Sequence, residues 1–394
     1  MPVKKRLLIA GGGYAEIPLI LAAKRLGFHV ITSGNRADDL GHRHADEIHL
    51  EDFSNKNAML QLARSLEIDA ICASCNDFSA LTAAYIAEQI QLPGHDPYET
   101  AVLIHHKDRY REFAQENQIP TPRAAGFESV QQALDQLDSF LFPVMIKPVD
   151  LTGGKGITRL ERIDDARTVL EQAFQISRAK RIVIEEFVEG SRHGFSSFLR
   201  DGRVVFCFQD NEHYFQNPYL VSAASTPANV PATTAATLCQ QAEHIASLLN
   251  LKTGIFHIQY ILHQGEPVII EICRRAPGDL YIQFVQHATG INYPEFIIRA
   301  ATGLDCGGIN QKEPTGYFTR HCIMPSRNGL IEDVIYAPEI REQIIDQMLW
   351  WERGQQIDQF LVQKQGIVFL QFESLQEMLT RTEVLPELIR VEMK

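Results

Sequence analysis

Lys147 closes the apolar run PVMIK and Pro148 follows at once, so a cation stands at the end of a strand that must be buried. An ammonium in such a place is costly unless an anion meets it. Any fold open to this chain has to bring an anionic group or ligand to that strand end. The loop GGKG at 153–156 comes next. Its glycines tolerate left-handed backbone, and its amides can close over phosphate-like oxygens, with Thr152 and Lys155 adding a hydroxyl and a charge. Alone, GGKG reads equally well as a flexible hairpin; beside a buried lysine it reads as an anion cradle.

Far downstream, GIFHIQYILHQGEPVIIEI reads as a hairpin with Gln259 and Glu271 on neighbouring strands and Arg274 and Arg275 just beyond. A carboxylate and an amide oxygen on one face suit a hard cation such as magnesium, which takes few protein ligands when phosphates supply the rest. The alternative is that Glu271 simply ends a hairpin. Two residues before Gln259, His257 faces the same side by strand periodicity, although a lone strand histidine also reads as a core residue.

A chain of 394 residues is long enough for several domains with sizeable cores, and 45% hydrophobic content is that of a globular protein needing no disulfide staples. A net charge of −12 opposes general affinity for nucleic acid or anionic membrane. No stretch approaches the roughly 18 uninterrupted apolar residues of a membrane span. The opening MPVKKRLLIAGGG is only superficially like a signal peptide, because glycines and then Glu16 break its apolar run. Seven scattered cysteines fit a reducing cytoplasm. Cys72 and Cys75 form a CxxC without a second pair, which reads as a buried strand end before it reads as zinc or redox chemistry.

The first part of the chain alternates RLLIAGG, AEIPLILAAKRLG, HVITSGN, MLQLARSLEI, DAICASCND and LTAAYIAEQI, a βαβ pattern that predicts a parallel sheet. KDRYREFAQENQ reads as a charged surface helix that IPTPRA stops, giving a domain of residues 1–120. A smaller unit, 121–190, holds VQQALDQLDSF, PVMIKPV, the glycine loop, DDARTVLEQAF and RIVIEEFV. Residues 191–306 carry a hairpin turning at Asp201 and Gly202, the helix TTAATLCQQAEHIASLLN and the second hairpin. Residues 307–394 read as a small α+β tail with an Asn328–Gly329 turn and a late helix, LQEMLTRTEVLPELI.

GGGYAE after the first strand invites a dinucleotide reading. Glu16 stands where a third glycine would pack helix on strand, however, and the second strand ends in TSGN instead of the acid that holds a ribose. A tight strand-to-helix turn remains, with the helix start at Gly13 or Tyr14 as a candidate seat for a small anion.

The order of these parts resembles the ATP-grasp superfamily, in the group that includes L-amino acid ligases, carbamoyl phosphate synthetases and biotin carboxylases. The resemblance covers nearly the whole chain. It implies an α/β and α+β architecture: a parallel-sheet preamble, a two-lobed nucleotide-binding region and a small C-terminal domain. On that resemblance ATP and magnesium, with manganese as an allowed substitute, are the cofactors. Lys107 and Lys147 meet the nucleotide phosphates, and Gly153, Gly154, Lys155 and Gly156 close over them. Glu185 accepts from the adenine amino group, while Glu186, Phe187 and Val188 form the hinge. Gln259 and Glu271 hold the metal. Arg275, with Arg274 as its alternate, faces an acyl phosphate or substrate carboxylate, and Lys147 shares in that charge neutralisation.

The chain departs from the superfamily pattern in two places. Ser191, Arg192 and His193 follow the hinge where relatives often keep a ribose-binding acid, with Glu189 as a substitute. Cys273 stands where a metal-binding asparagine is common, and a thiol is a poor magnesium ligand. The activity implied is an ADP-forming carboxylate–amine ligase acting on a small carboxylate, an amino acid or a related acid. Its partners are small molecules, with no nucleic acid and no membrane, and a homodimer is allowed. The alternatives are a biotin carboxylase or purine-pathway carboxylase, disfavoured by APGDLY after Arg275, and an ATP-binding protein without turnover. Glu16, Asn76, Asp77, His193, Arg320 and His321 are polar candidates for the substrate pocket.

Overall fold

The computed structural model describes residues 4–394 apart from residue 152, so the Thr152 hydroxyl lies outside the described residues. The βαβ alternation folds as expected into a parallel sheet with strands in the order Glu47–Leu50, His29–Gly34, Arg6–Ala10 and Ala70–Ala73. The small lobe is an antiparallel sheet ordered Ala124–Phe127, Ile182–Glu186, Val144–Pro148 and Thr158–Leu160. Both hairpin turns of the central lobe adopt the left-handed pair of conformations that suits a tight turn: Asp201 and Gly202 at φ 53° and 75°, Gln264 and Gly265 at 50° and 88°.

The central sheet is larger than the sequence indicates. Eight strands run in the order Glu266–Cys273, Gly254–His263, Ser191–Arg200, Arg203–His213, Ala223–Thr226, Tyr317–Ile323, Gly366–Phe372 and Ile344–Leu349. Its last three strands come from beyond residue 307, so the expected boundary at 306/307 does not divide the sheet. The three-stranded sheet Gln356–Ile357, Gly329–Tyr336 and Ile389–Met393 is separate in its pairing, but it shares an apolar core with Ile323, Val368, Leu370 and Phe372 of the central sheet. Backbone pairing at long sequence separation leaves no local pattern, which is why the tail's strands read as an independent domain. The late helix is also two, Leu375–Glu383 and Leu385–Leu388, because Pro386 cannot continue the first.

On one face of the central sheet, Phe195, Phe256, Ile258 and Tyr260 pack on Leu238, Ala242 and Ile245 of the helix Thr234–Leu249. Tyr110 and Ala114 of the helix Lys107–Glu116 join the same core. That helix was expected on the surface of the preamble; instead it packs on the central lobe, with Arg111 only 1% exposed. On the opposite face Phe198, Phe206 and Phe208 meet the helices Tyr281–Thr289 and Tyr293–Ala301, whose far side packs on the preamble helix Ile17–Arg25. Preamble and central lobe therefore share one core. No helix among the described residues is long and apolar enough to cross a membrane.

Gly94 pins this junction: its φ is +84°, and a Cβ there would stand 2.1 Å from the Ala300 carbonyl oxygen. Gly94→Ala is expected to cost about 2 kcal/mol or more, read as a lower urea midpoint at unchanged slope. An unchanged midpoint would show that the junction yields freely.

Candidate functional site

A cavity of about 530 Å³ lies where the preamble, small lobe and central sheet meet. Strand alternation aims the small lobe's charges into it. Met145 pairs with Glu185 across the antiparallel ladder and Lys147 lies two residues on, so all three side chains share one face. The Lys147 Nζ lies 2.6 Å from Glu185 Oε2, and Arg111 Nη2 lies 3.0 Å from Oε1. Burial pushes the Lys147 ammonium below the usual lysine range against the pull of Glu185. Burial also works to raise Glu185, but Arg111 and Lys147 outweigh it and hold the carboxyl low.

Glu185 lines the cavity, and here its partners are cations and not an adenine-facing edge. Both of its oxygens face cations, because the strand places it opposite Met145 and diagonal to Lys147 instead of at the hinge edge. Glu186 turns the other way and accepts from Arg123 at 2.9 Å and from the Leu141 amide at 3.0 Å. Glu186, Phe187 and Val188 border the cavity together with Met145, Ile270 and Leu220, a largely apolar lining suited to a flat ring.

Lys107 starts its helix beside the cavity and donates to the Leu151 carbonyl at 3.0 Å, with Glu271 Oε1 at 3.9 Å. Gly153 and Gly154 line the cavity, with φ +66° and +73°. A Cβ on Gly154 would lie 2.4 Å from the Tyr219 carbonyl oxygen, so the loop lies against the 219 segment and only glycine permits it. Lys155 is exposed, and neither it nor Gly156 lines the cavity; Gly156 packs instead against Ile176 and Pro148.

Gln259 and Glu271 are direct cross-strand partners, as the hairpin pattern implied. The same row continues through Gly194, opposite Gln259, to Asp210, opposite Gly194. All of this row but the glycine borders the cavity, and so does Glu212, whose Oε1 accepts from the Gln259 amide at 2.6 Å. The oxygens of Glu271 and Gln259 fit a hard cation that phosphates complete. Among the described residues no cluster of three or more His, Cys, Asp or Glu side chains forms a self-sufficient metal cage. Cys273 is buried, with its thiol raised to about 11 chiefly by burial, and adds no metal ligand.

The two arginines separate. Arg275 lines the cavity and is braced by Asp77 at 2.7 Å, which His105 meets from behind at 2.9 Å. Arg274 points away, ion-paired to Asp96 at 2.8 Å and bonded to the Lys252 carbonyl, so its expected place facing substrate is not realised. His257 faces the cavity beside Gln259, pushed down to about 3 by burial and then by Arg275. Of the other polar candidates, Glu16, Asn76 and Arg320 border the cavity, and His193, His321 and Asp77 do not. Glu16 accepts from the Cys75 amide at 2.9 Å, and burial raises its carboxyl.

Sequence reading names Tyr14 and Arg320 as candidates but misses Asp279, Lys364, Asp210 and Glu212, all of which line the cavity. Tyr14 donates to Asp279 at 2.8 Å, and Arg320 and Lys364 flank the same carboxylate. Asp210 accepts from the Tyr281 hydroxyl, and burial, with Glu212 adding, pushes its carboxyl up to about 7. The signal for Asp210 and Glu212 was present: they continue the face of Phe206 and Phe208 in VVFCFQDNE, two acids where alternation demands apolar residues. No local pattern marks Lys364.

A parallel preamble, an antiparallel small lobe and a large antiparallel sheet, with lysines and a glycine loop over a carboxylate-bearing hairpin, define an ATP-grasp protein. Residues 106–309, more than half of the chain, match the family described as carbamoyl-phosphate synthase L chain, ATP binding domain, and the chain belongs to that family. It is 25% identical over 282 residues to a formate-dependent phosphoribosylglycinamide formyltransferase of Prochlorococcus marinus, covering 69% of this chain and 70% of that protein. The fold matches an L-amino acid ligase of Bacillus licheniformis with a TM-score of 0.82 at 20% identity, over 100% of both chains. It matches a phosphoribosylglycinamide synthetase of Anaerococcus prevotii with a TM-score of 0.78 at 22% identity, again over 100% of both.

Two outcomes follow from the buried charges. Arg111→Met should destabilise by about 3–5 kcal/mol, and adding Glu185→Gln should recover part of that loss, as measured by chemical unfolding. Equal stability of the single variant and the parent would refute the ion-pair account. His321 is held neutral, its imidazole pushed down to about 3 by burial. The unfolded chain therefore binds a proton there that the folded one refuses. Below about pH 6.5 the parent should lose stability relative to His321→Gln by roughly 1.4 kcal/mol per pH unit, visible in melting curves from pH 7 to 4.5. Parallel curves would contradict it.

Proposed function

We propose that the protein is an ATP-dependent ligase that phosphorylates a small carboxylate, an amino acid or a related acid, and couples it to an amine with release of ADP and phosphate. The observation that carries this reading is the cation surplus at one end of the cavity. Lys107, Lys147 and Arg111 face only Glu185 and Glu271 there. A triphosphate supplies the missing negative charge. Phe187 and Val188, with Met145 and Ile270, form the slot for the adenine ring.

Glu271 and Gln259 would hold the magnesium ion, for which manganese is an alternative; when bound, it neutralises charge on the transferring phosphoryl group. Lys107 and Lys147 neutralise the remaining phosphate charge and keep the tail in line with the acceptor. Arg275, locked by Asp77, presents its fork to the carboxylate that attacks. That carboxylate oxygen bonds to the γ-phosphorus as the bond to the bridging oxygen breaks and ADP leaves. The amine nitrogen then bonds to the acyl carbon, phosphate departs, and the amine proton passes to solvent. No side-chain nucleophile is needed, so the site works by position and charge.

The test is nucleotide stoichiometry: ADP and phosphate should appear only when acid and amine are both present, and AMP would contradict the mechanism. Lys147→Ala and Glu271→Ala should each lower kcat/KM by about 100-fold or more while retaining a cooperative melt. Full activity in both variants would place the site elsewhere.

A further inference from the structure

The phosphate end of the cavity has cations to spare, whereas at the far end the cations are already engaged and one acid is not. Asp210 is 1% exposed there. One of its oxygens accepts from the Tyr281 hydroxyl, and the other, Oδ2, is buried without a hydrogen-bond partner. Among the described residues no cation forms an ion pair with it, although the Arg320 guanidinium is near enough to pull on its charge. Arg275 is paired with Asp77, Arg320 and Lys364 flank Asp279, and Arg192 lies over the Tyr214 ring. Glu212 meets only neutral donors, the Gln259 amide and the Tyr214 hydroxyl.

The chain builds a niche for this carboxylate. A Cβ on Gly194 would stand 2.5 Å from Asp210 Oδ1, so the glycine in that strand leaves the room that the acid fills. Tyr281 is itself fixed by edge-to-face contact with His257, centroids 5.2 Å apart, and His257 Nδ1 is a second buried atom without a partner. A buried carboxylate oxygen left unmatched is costly, and a hydrogen-bonding cation removes that cost.

We propose that Asp210, oriented by Tyr281, is the receptor for an ammonium group, so that at least one substrate of this enzyme is a primary ammonium compound such as an α-amino acid. The proposal rests on the ligase reading and deepens it. The ammonium belongs either to the acid that is activated or to the amine that is coupled. Both sources present the same three N–H donors to Oδ2.

The full chain is assayed for phosphate release from ATP and magnesium on pairs drawn from the twenty L-amino acids, and each member of an active pair is then replaced by its 2-hydroxy-acid counterpart. Asp210→Asn should raise the KM of one member roughly 30-fold, the scale of a lost charge-assisted hydrogen bond, with the KM of ATP unchanged. Tyr281→Phe should raise the same KM about fivefold, the scale of a neutral hydrogen bond. The member affected identifies which ammonium Asp210 holds; where it is the activated acid, its hydroxy-acid counterpart should fail to support turnover. Unchanged KM values in Asp210→Asn, or undiminished turnover when a hydroxy-acid counterpart replaces an affected activated acid, overturn the proposal. Thermal stabilisation by ADP without phosphate release on any pair also overturns it, while leaving the nucleotide site intact. Absence of stabilisation by ADP removes the ligase reading and the proposal together.

Discussion

Glu185, buried between Arg111 and Lys147, is the contact on which the site's organisation depends. A single carboxylate inside the protein holds two cations, and a third, Lys107, stands nearby against Glu271. Removing charges from water is tolerated only when each is matched. Here the match is incomplete by one negative charge, and that deficit faces a cavity. The fold has thus made the interior of its small lobe receptive to an anion instead of neutralising it.

This contact also ties the elements together. Arg111 belongs to a helix that packs on the central sheet, whereas Glu185 and Lys147 belong to the small lobe, so the ion cluster bridges the two. Across the cavity, one lateral row of the central sheet carries Glu271, Gln259, Gly194 and Asp210. The row sorts its chemistry by position, with metal-compatible oxygens beside the lysines and an unmatched carboxylate beyond a glycine gap. The cavity thus runs from a cationic end suited to phosphates to an end where charges are paired except for one carboxylate oxygen, suited to an ammonium.

Much of this was legible in the sequence, and the parts that were not share a cause. Lys147, the glycine loop and the Gln259–Glu271 pair are marked by local contradiction, such as a charge ending an apolar strand or polar residues on a buried face. The parallel preamble followed from alternation alone. The helix KDRYREFAQENQ reads as a surface helix because the partner of its Arg111 lies in a strand far along the chain, and helical periodicity cannot supply a distant counter-ion. Resemblance places Glu185 near the adenine, and pleating also aims it at Lys147, a pairing the sequence does not announce. Arg274 and Arg275 are adjacent and chemically identical, and their different surroundings, Asp96 with the Lys252 carbonyl for one and Asp77 at the cavity for the other, leave no mark in the local sequence. The three tail strands that complete the central sheet pair at long range and left no periodic trace.

The most direct measurement is a crystal structure of the protein with magnesium and a non-hydrolysable ATP analogue. The account predicts the triphosphate between Lys107 and Lys147 under the 153–156 loop, with the metal on Glu271 and the ring against 186–188. Nucleotide bound at Gly11, Gly12 and Gly13, or phosphates remote from both lysines, would contradict it.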